Sequence, residues 1–76
     1  MNRQEDALRK LGRRLRQLRE EQGLSIAALA SLTALETKDI SIMEAGQLDV
    51  PLTTIVVLAR ALRTTPAQLL THLPGS

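Results

Sequence analysis

The chain has no cysteine among its 76 residues. That excludes disulfides, thiolate metal ligation and a cysteine nucleophile. It also has no Phe, Tyr or Trp. Single-stranded nucleic acids are usually held on aromatic stacking platforms, and quaternary ammonium groups in aromatic cages, so both ligand classes are disfavoured. No apolar run reaches membrane-spanning length, and no cationic-then-apolar leader is legible at the N-terminus. A membrane partner is therefore not expected, and a cytoplasmic location fits. His72 is the sole histidine. Near the end of a helix it reads as a dipole partner rather than a catalyst or metal ligand. No Gly-rich phosphate loop, metal-ligand spacing or serine–histidine motif is present. The expectation is a protein that is not an enzyme, with no metal, no cofactor and no small-molecule substrate.

What remains is an aliphatic, mildly basic chain. Hydrophobic residues make up 43% and the net charge is +2. This length suits one small domain, residues 1–76, with a core of about 8–73 and short flexible ends. Pro74-Gly75-Ser76 is either a natural tail or an added scar. The charge is uneven. In residues 1–21, seven bases (Arg3, Arg9, Lys10, Arg13, Arg14, Arg16, Arg19) stand against four acids (Glu5, Asp6, Glu20, Glu21), a surplus of +3. Residues 22–76 carry −1, with Lys38, Arg60 and Arg63 against Glu36, Asp39, Glu44 and Asp49. A basic leading segment suits a polyanion. On charge alone a solvated helix face with i,i+4 pairs such as Asp6–Lys10 is the favoured account, because +3 is small beside the basic stripes of strong DNA binders.

Periodicity predicts five short helices, no strand and no repeat. Leu8, Leu11, Leu15 and Leu18 form one apolar stripe on a helix from about 5 to 22. Gly23 ends it, and Leu24 stands where a hydrophobic residue closes a Schellman cap. Ser25 is the N-cap expected for a second helix to about Leu32, with Ile26, Leu29 and Ala30 inward. After a turn at 33–35, a third helix covers 37–45, with Ile40 and Met43 inward and Gly46 past its end. Pro51 begins the fourth helix, whose inner face reads Leu52, Ile55, Leu58, Ala59 and Leu62. Thr65, Pro66 and Gln68 supply the cap, first-turn proline and capping box of a fifth helix bearing Leu69, Leu70 and Leu73. The fold class is all-α.

From Leu11 to Leu70 the ordered set Leu11-Gly12, Leu15-Arg16, Leu18-Arg19, Gly23-Leu24-Ser25, Leu29-Ala30, Ile40-Ser41, Glu44-x-Gly46, Leu58-Ala59-x-Ala61-Leu62 and Leu69-Leu70 resembles the lambda repressor-like (Cro/XRE class) helix-turn-helix family. The resemblance implies a compact five-helix domain in which helices 2 and 3 form the helix-turn-helix. It implies double-stranded DNA as partner, a repressor-type regulator, and a homodimer on a palindromic operator. DNA contacts would fall at Arg19, Ser25, Ile26, Thr37, Lys38, Ser41, Ile42 and Gln47, and Arg19 would pair with Glu44. Leu69, Leu70 and Leu73 are the expected dimer interface, or they only close the core.

Some positions depart from the family pattern. Ile26 stands where Gln is usual, loop 47–52 has no base, and Ala34 and Arg63 replace glycines. If the backbone holds φ > 0 there, each replacement costs roughly 1 kcal/mol. A second reading stays open: a protein-interaction module on the same scaffold, with Ile26 and Ile42 forming an apolar patch for a protein partner.

Overall fold

The computed structural model describes residues 3–70. His72, Leu73 and Pro74-Gly75-Ser76 lie outside the described residues, as do the flexible ends expected there. Five helices follow in order: α1 Arg3–Glu21, α2 Ile26–Thr33, α3 Thr37–Glu44, α4 Leu52–Ala61 and α5 Pro66–Leu69. No strand occurs among the described residues. α1 packs on α3 and α5, α2 on α3 and α4, and α4 on α5.

The core is aliphatic throughout, as a chain without aromatics requires. Leu11, Leu15 and Leu18 of α1 meet Leu29 and Ala30 of α2, Ile40 and Met43 of α3, Ile55, Leu58, Ala59 and Leu62 from the α4 region, and Leu69 of α5. Two expectations need correcting. Leu52 is not on the inner face of α4: it is 67% exposed. Pro51 is not the first helical residue but the N-cap, with extended backbone (φ −60°, ψ 151°).

The helix starts use hydroxyl caps where the sequence offers them. The Ser25 hydroxyl accepts from the Ala28 N–H at 3.0 Å, and Thr65 accepts from Gln68 N–H at 3.1 Å with Pro66 in the first turn. Such caps satisfy one of the orphan donors at a helix start and contribute about 1 kcal/mol each.

Four helices end alike. After α1, α2, α3 and α4, the residue two past the last turn donates back five positions: Leu24 to Arg19, Leu35 to Ala30, Gln47 to Ile42, and Thr64 to Ala59. Each of these Schellman ends needs one left-handed residue. Gly23 (φ 69°) and Gly46 (φ 73°) take it without a Cβ penalty. Ala34 (φ 59°) and Arg63 (φ 58°) take it with one. Ala34→Gly and Arg63→Gly are each expected to stabilise the fold by up to about 1 kcal/mol, the relief of Cβ strain exceeding the added chain entropy. Urea unfolding of the two variants checks this. An unchanged or lower midpoint for both would mean that neither position is strained.

Candidate nucleic-acid interface

Three segments carry the residues expected at DNA: the N-terminus of α2, the outer face of α3 and the turn after α3. Capping and burial decide what each shows. Ile40 and Met43 point α3 inward, which leaves Thr37, Lys38 and Ser41 exposed on its outer side. Ile42 is 37% exposed on the same helix. Ser25 and Gln47 are exposed at the start of α2 and just past α3. Ile26 differs: it is half-buried and packs against the core.

Lys38 lies 3.6 Å from the Glu36 carboxylate, with both side chains largely exposed. Such a pair contributes little and parts easily. The ammonium can therefore turn toward another acceptor. Glu36 itself is the N-cap of α3 without a side-chain cap hydrogen bond. Asp39 is half-buried in the first turn, where a negative charge suits the helix dipole.

Two devices fix α3 against the rest of the domain. The first is electrostatic. Arg19 of α1 grips Glu44 of α3 through both ends of its fork: Nε to Oε2 at 2.6 Å and Nη2 to Oε1 at 3.0 Å. Its remaining nitrogen, Nη1, donates to the Leu24 carbonyl at 2.8 Å. The side chains are 10% and 8% exposed. Arg19 thus joins the end of α1, the start of α2 and the end of α3. Its guanidinium is held above the ordinary arginine value by the hydrogen bond to Glu44, against the cost of burial and with help from the charges of Glu44 and Glu20. A raised pKa stabilises the folded state below the unfolded value and loses that effect only as pH rises through the folded one. Arg19 is therefore charged throughout the usual working range. With its nitrogens engaged, Arg19 positions α3; little of it is left for a phosphate.

The second device is steric. A Cβ at Gly12 would sit 2.5 Å from the Glu44 carbonyl oxygen and 2.6 Å from that of Met43. α1 and α3 therefore approach at a distance only glycine allows. Gly12 enters the sequence pattern as a motif member, but nothing in the sequence alone announces this contact. Arg14 adds a tie on another side, from Nε to the Gln68 carbonyl at 3.1 Å, joining α1 to α5.

The α5 residues expected at a dimer interface separate. Leu69 is 0% exposed, so it closes the monomer core and is not an interface residue. Leu70 is half-buried against the core, and Leu73 lies outside the described residues.

Among the described residues, no group of three or more His, Cys, Asp or Glu is placed to hold a metal. None of their helices is long and apolar enough to cross a membrane.

A family model described as a helix-turn-helix domain matches residues 10–73. The chain belongs to this helix-turn-helix family. Its α2 and α3 are the motif's two helices, and α3 occupies the recognition position. Three solved structures resemble this helix-turn-helix chain. The restriction-modification controller protein C.AhdI from Aeromonas hydrophila is 44% identical, with a TM-score of 0.80 over 82% of this chain and 94% of that one. The hypothetical transcription factor NHTF from Neisseria is 28% identical, with a TM-score of 0.82 over 88% and 77% of the two chains. An HTH_3 family transcriptional regulator from Vibrio cholerae, 23% identical, has a TM-score of 0.82 over 87% of this chain and 37% of its own length; at that identity the likeness shows the fold alone. No curated protein matches the chain significantly. The helix-turn-helix chain is thus an all-α DNA-binding domain of the lambda repressor-like class, akin to transcription regulators rather than to enzymes.

Proposed function

We propose that this domain is a small cytoplasmic regulator that binds a palindromic operator in double-stranded DNA as a homodimer. The observation that carries the reading is the exposed face of α3, held rigidly by Gly12 and the Arg19–Glu44 pair. In this reading α3 lies in the major groove. Thr37 and Lys38 approach base edges, Lys38 donating to guanine O6 or N7, and Ser41 faces the same groove. Ile42, one turn on from Lys38, meets a thymine methyl. Ser25, the free N–H groups at the start of α2 and Gln47 meet the phosphate backbone. The 44% identity with a restriction-modification controller protein supports a controlling role for this domain.

The protein-interaction reading needs Ile26 and Ile42 as one exposed patch. Ile26 is half-buried against the core, so the patch shrinks to Ile42, a single exposed apolar side chain of ordinary kind. The DNA reading is the one favoured.

Selection of duplexes from a random pool at low salt tests the proposal. The expected result is an enriched two-fold half-site; a pool with no enriched sequence would sink it. On the winning duplex, Lys38→Ala should cost about 1–3 kcal/mol and relax preference at one guanine. If Lys38 instead meets phosphate, affinity falls evenly across sequences and the salt slope drops by about one. No change in either quantity removes Lys38 from the interface.

A further inference from the structure

Ser25 and Thr65 cap α2 and α5 with their hydroxyls. α3 starts differently. Its N-cap is Glu36, whose side chain makes no cap hydrogen bond. The Glu36 backbone opens the helix in the usual way, its carbonyl accepting from Asp39 N–H at 3.0 Å and from Ile40 N–H at 3.2 Å. Ser, Thr, Asp and Asn are the residues that cap well, so glutamate here forgoes stability.

The Glu36 carboxylate goes instead to Lys38, 3.6 Å away, with both side chains largely exposed. Residues two apart within a helix do not face each other. The extended backbone of Glu36 (φ −89°, ψ 151°) is what lets this contact form. The pair is thus a product of the N-cap position, and it sets an anion beside the cation expected to read bases. Helix-dipole stabilisation does not require it, because Asp39 already supplies a negative charge in the first turn. Against phosphate a further carboxylate is a cost for every sequence. A base edge that donates would offset that cost.

The major groove offers such an edge. A G·C pair presents the two guanine acceptors, N7 and O6, side by side, with the cytosine N4 donor next to them. An A·T pair separates its acceptors, adenine N7 and thymine O4, by the N6 donor. An adjacent cation and anion therefore match G·C better: the ammonium meets two acceptors together and the carboxylate meets a donor.

We infer that Glu36 is a specificity-determining residue that reads one G·C base pair jointly with Lys38, Lys38 donating to guanine and Glu36 accepting from cytosine N4. The inference rests on the proposed DNA reading and assigns a second side chain to the guanine contact of Lys38. It does not depend on the dimer. At a base pair without a donor in that place, the carboxylate loses water and gains nothing, so Glu36 discriminates more than it strengthens.

The test uses the full chain and the duplex selected from the random pool. Lys38→Ala locates its guanine. That G·C pair is then changed to A·T in one half-site, and affinities for the two duplexes are compared for the wild type and for Glu36→Ser. Serine suits the N-cap, so the urea midpoint of Glu36→Ser should equal or exceed that of the wild type. The wild type should prefer the G·C duplex by about tenfold or more, and Glu36→Ser should cut that preference at least about fivefold. Reselection with Glu36→Ser should relax the same base pair that Lys38→Ala relaxes.

An unchanged preference in Glu36→Ser would overturn the inference, and so would relaxation at a different base pair. Equal gains in affinity for both duplexes would mean that Glu36 only repels phosphate, which also overturns it. A lowered urea midpoint would assign the carboxylate to the helix start instead. In each of these cases an enriched half-site leaves the DNA reading standing. A pool with no enriched sequence overturns the DNA reading, and the base-pair assignment with it.

Discussion

Replacing Glu44 with alanine is expected to remove about 3–5 kcal/mol of stability, the cost of leaving one member of a buried ion pair uncompensated. Arg19 would keep its charge in a place only about a tenth exposed, with its strongest acceptor gone. A chain of this length has total stability on the order of 4–11 kcal/mol, so the variant should be partly or wholly unfolded at room temperature. Urea midpoints measure it. A companion variant separates the pair's net value from the cost of orphaning one charge. Arg19→Met combined with Glu44→Leu removes both charges and should recover most of the loss, because buried pairs are often no better than apolar replacements of similar size. The Leu24 carbonyl also loses its donor in that double variant, so recovery should fall short of complete. Arg19→Lys should land between, since a point charge cannot hold two carboxylate oxygens and a carbonyl in one plane. A loss below about 1 kcal/mol for Glu44→Ala, the range of exposed pairs, would contradict the positioning role given to Arg19.

Gly12→Ala is the second large effect. In most helix interiors this change stabilises by roughly 0.5–1 kcal/mol, because glycine is the more flexible residue. Here the new methyl meets two backbone carbonyl oxygens of α3, at 2.5 and 2.6 Å, and neither can rotate away as a side chain would. α1 and α3 must part, and overpacking of this kind costs typically 1–3 kcal/mol. The expected net result is a loss, seen as a melting temperature lowered by about 4–8 °C per kcal/mol for a domain of this size. The shift falls on α3, so DNA affinity should drop even at temperatures where the variant stays folded. Gly12→Ala with an unchanged or raised melting temperature would mean that the helices have room to spare.

Much of the fold was legible because short polar residues carry local chemistry. Ser25 and Thr65 cap wherever a helix follows them, and Gly23 and Gly46 stop helices at the left-handed positions. The stripe Leu11, Leu15, Leu18 has only one face to bury. α4 defeats the same reasoning. Its sequence LTTIVVLARA has only Thr53, Thr54 and Arg60 as polar residues, so spacing cannot choose a buried side, and it puts Leu52 on the wrong one. Gly12 is opaque for another reason. A glycine needed for a close crossing and a glycine merely tolerated look alike until the opposing backbone is known. Ile26 and Leu69 turn on tertiary packing in the same way: one half-buried beside the recognition face, the other wholly inside.

The candidate site was legible chiefly through family resemblance. Physical reasoning from α3 and its entrance alone sees one lysine among three acids. The structure explains the placing of two of those acids: Glu44 faces inward to Arg19, and Asp39 is half-buried in the first turn. What α3 offers a groove is then Thr37, Lys38, Ser41 and Ile42, a sparse set. A sparse reader of low net charge should bind one half-site weakly, and a two-fold dimer doubles the contacts.

If α3 and its flanking residues meet the phosphates and base edges of double-stranded DNA, binding must weaken as salt rises. The most direct test is the affinity for the selected duplex measured across a range of salt concentrations. Each neutralised phosphate contributes about −0.9 to the slope of log affinity against log salt. The expected result is a clearly negative slope, shallower than for strongly basic binders, together with affinity well above that for a scrambled duplex. A slope of zero, or equal affinity for selected and scrambled duplexes, would contradict it.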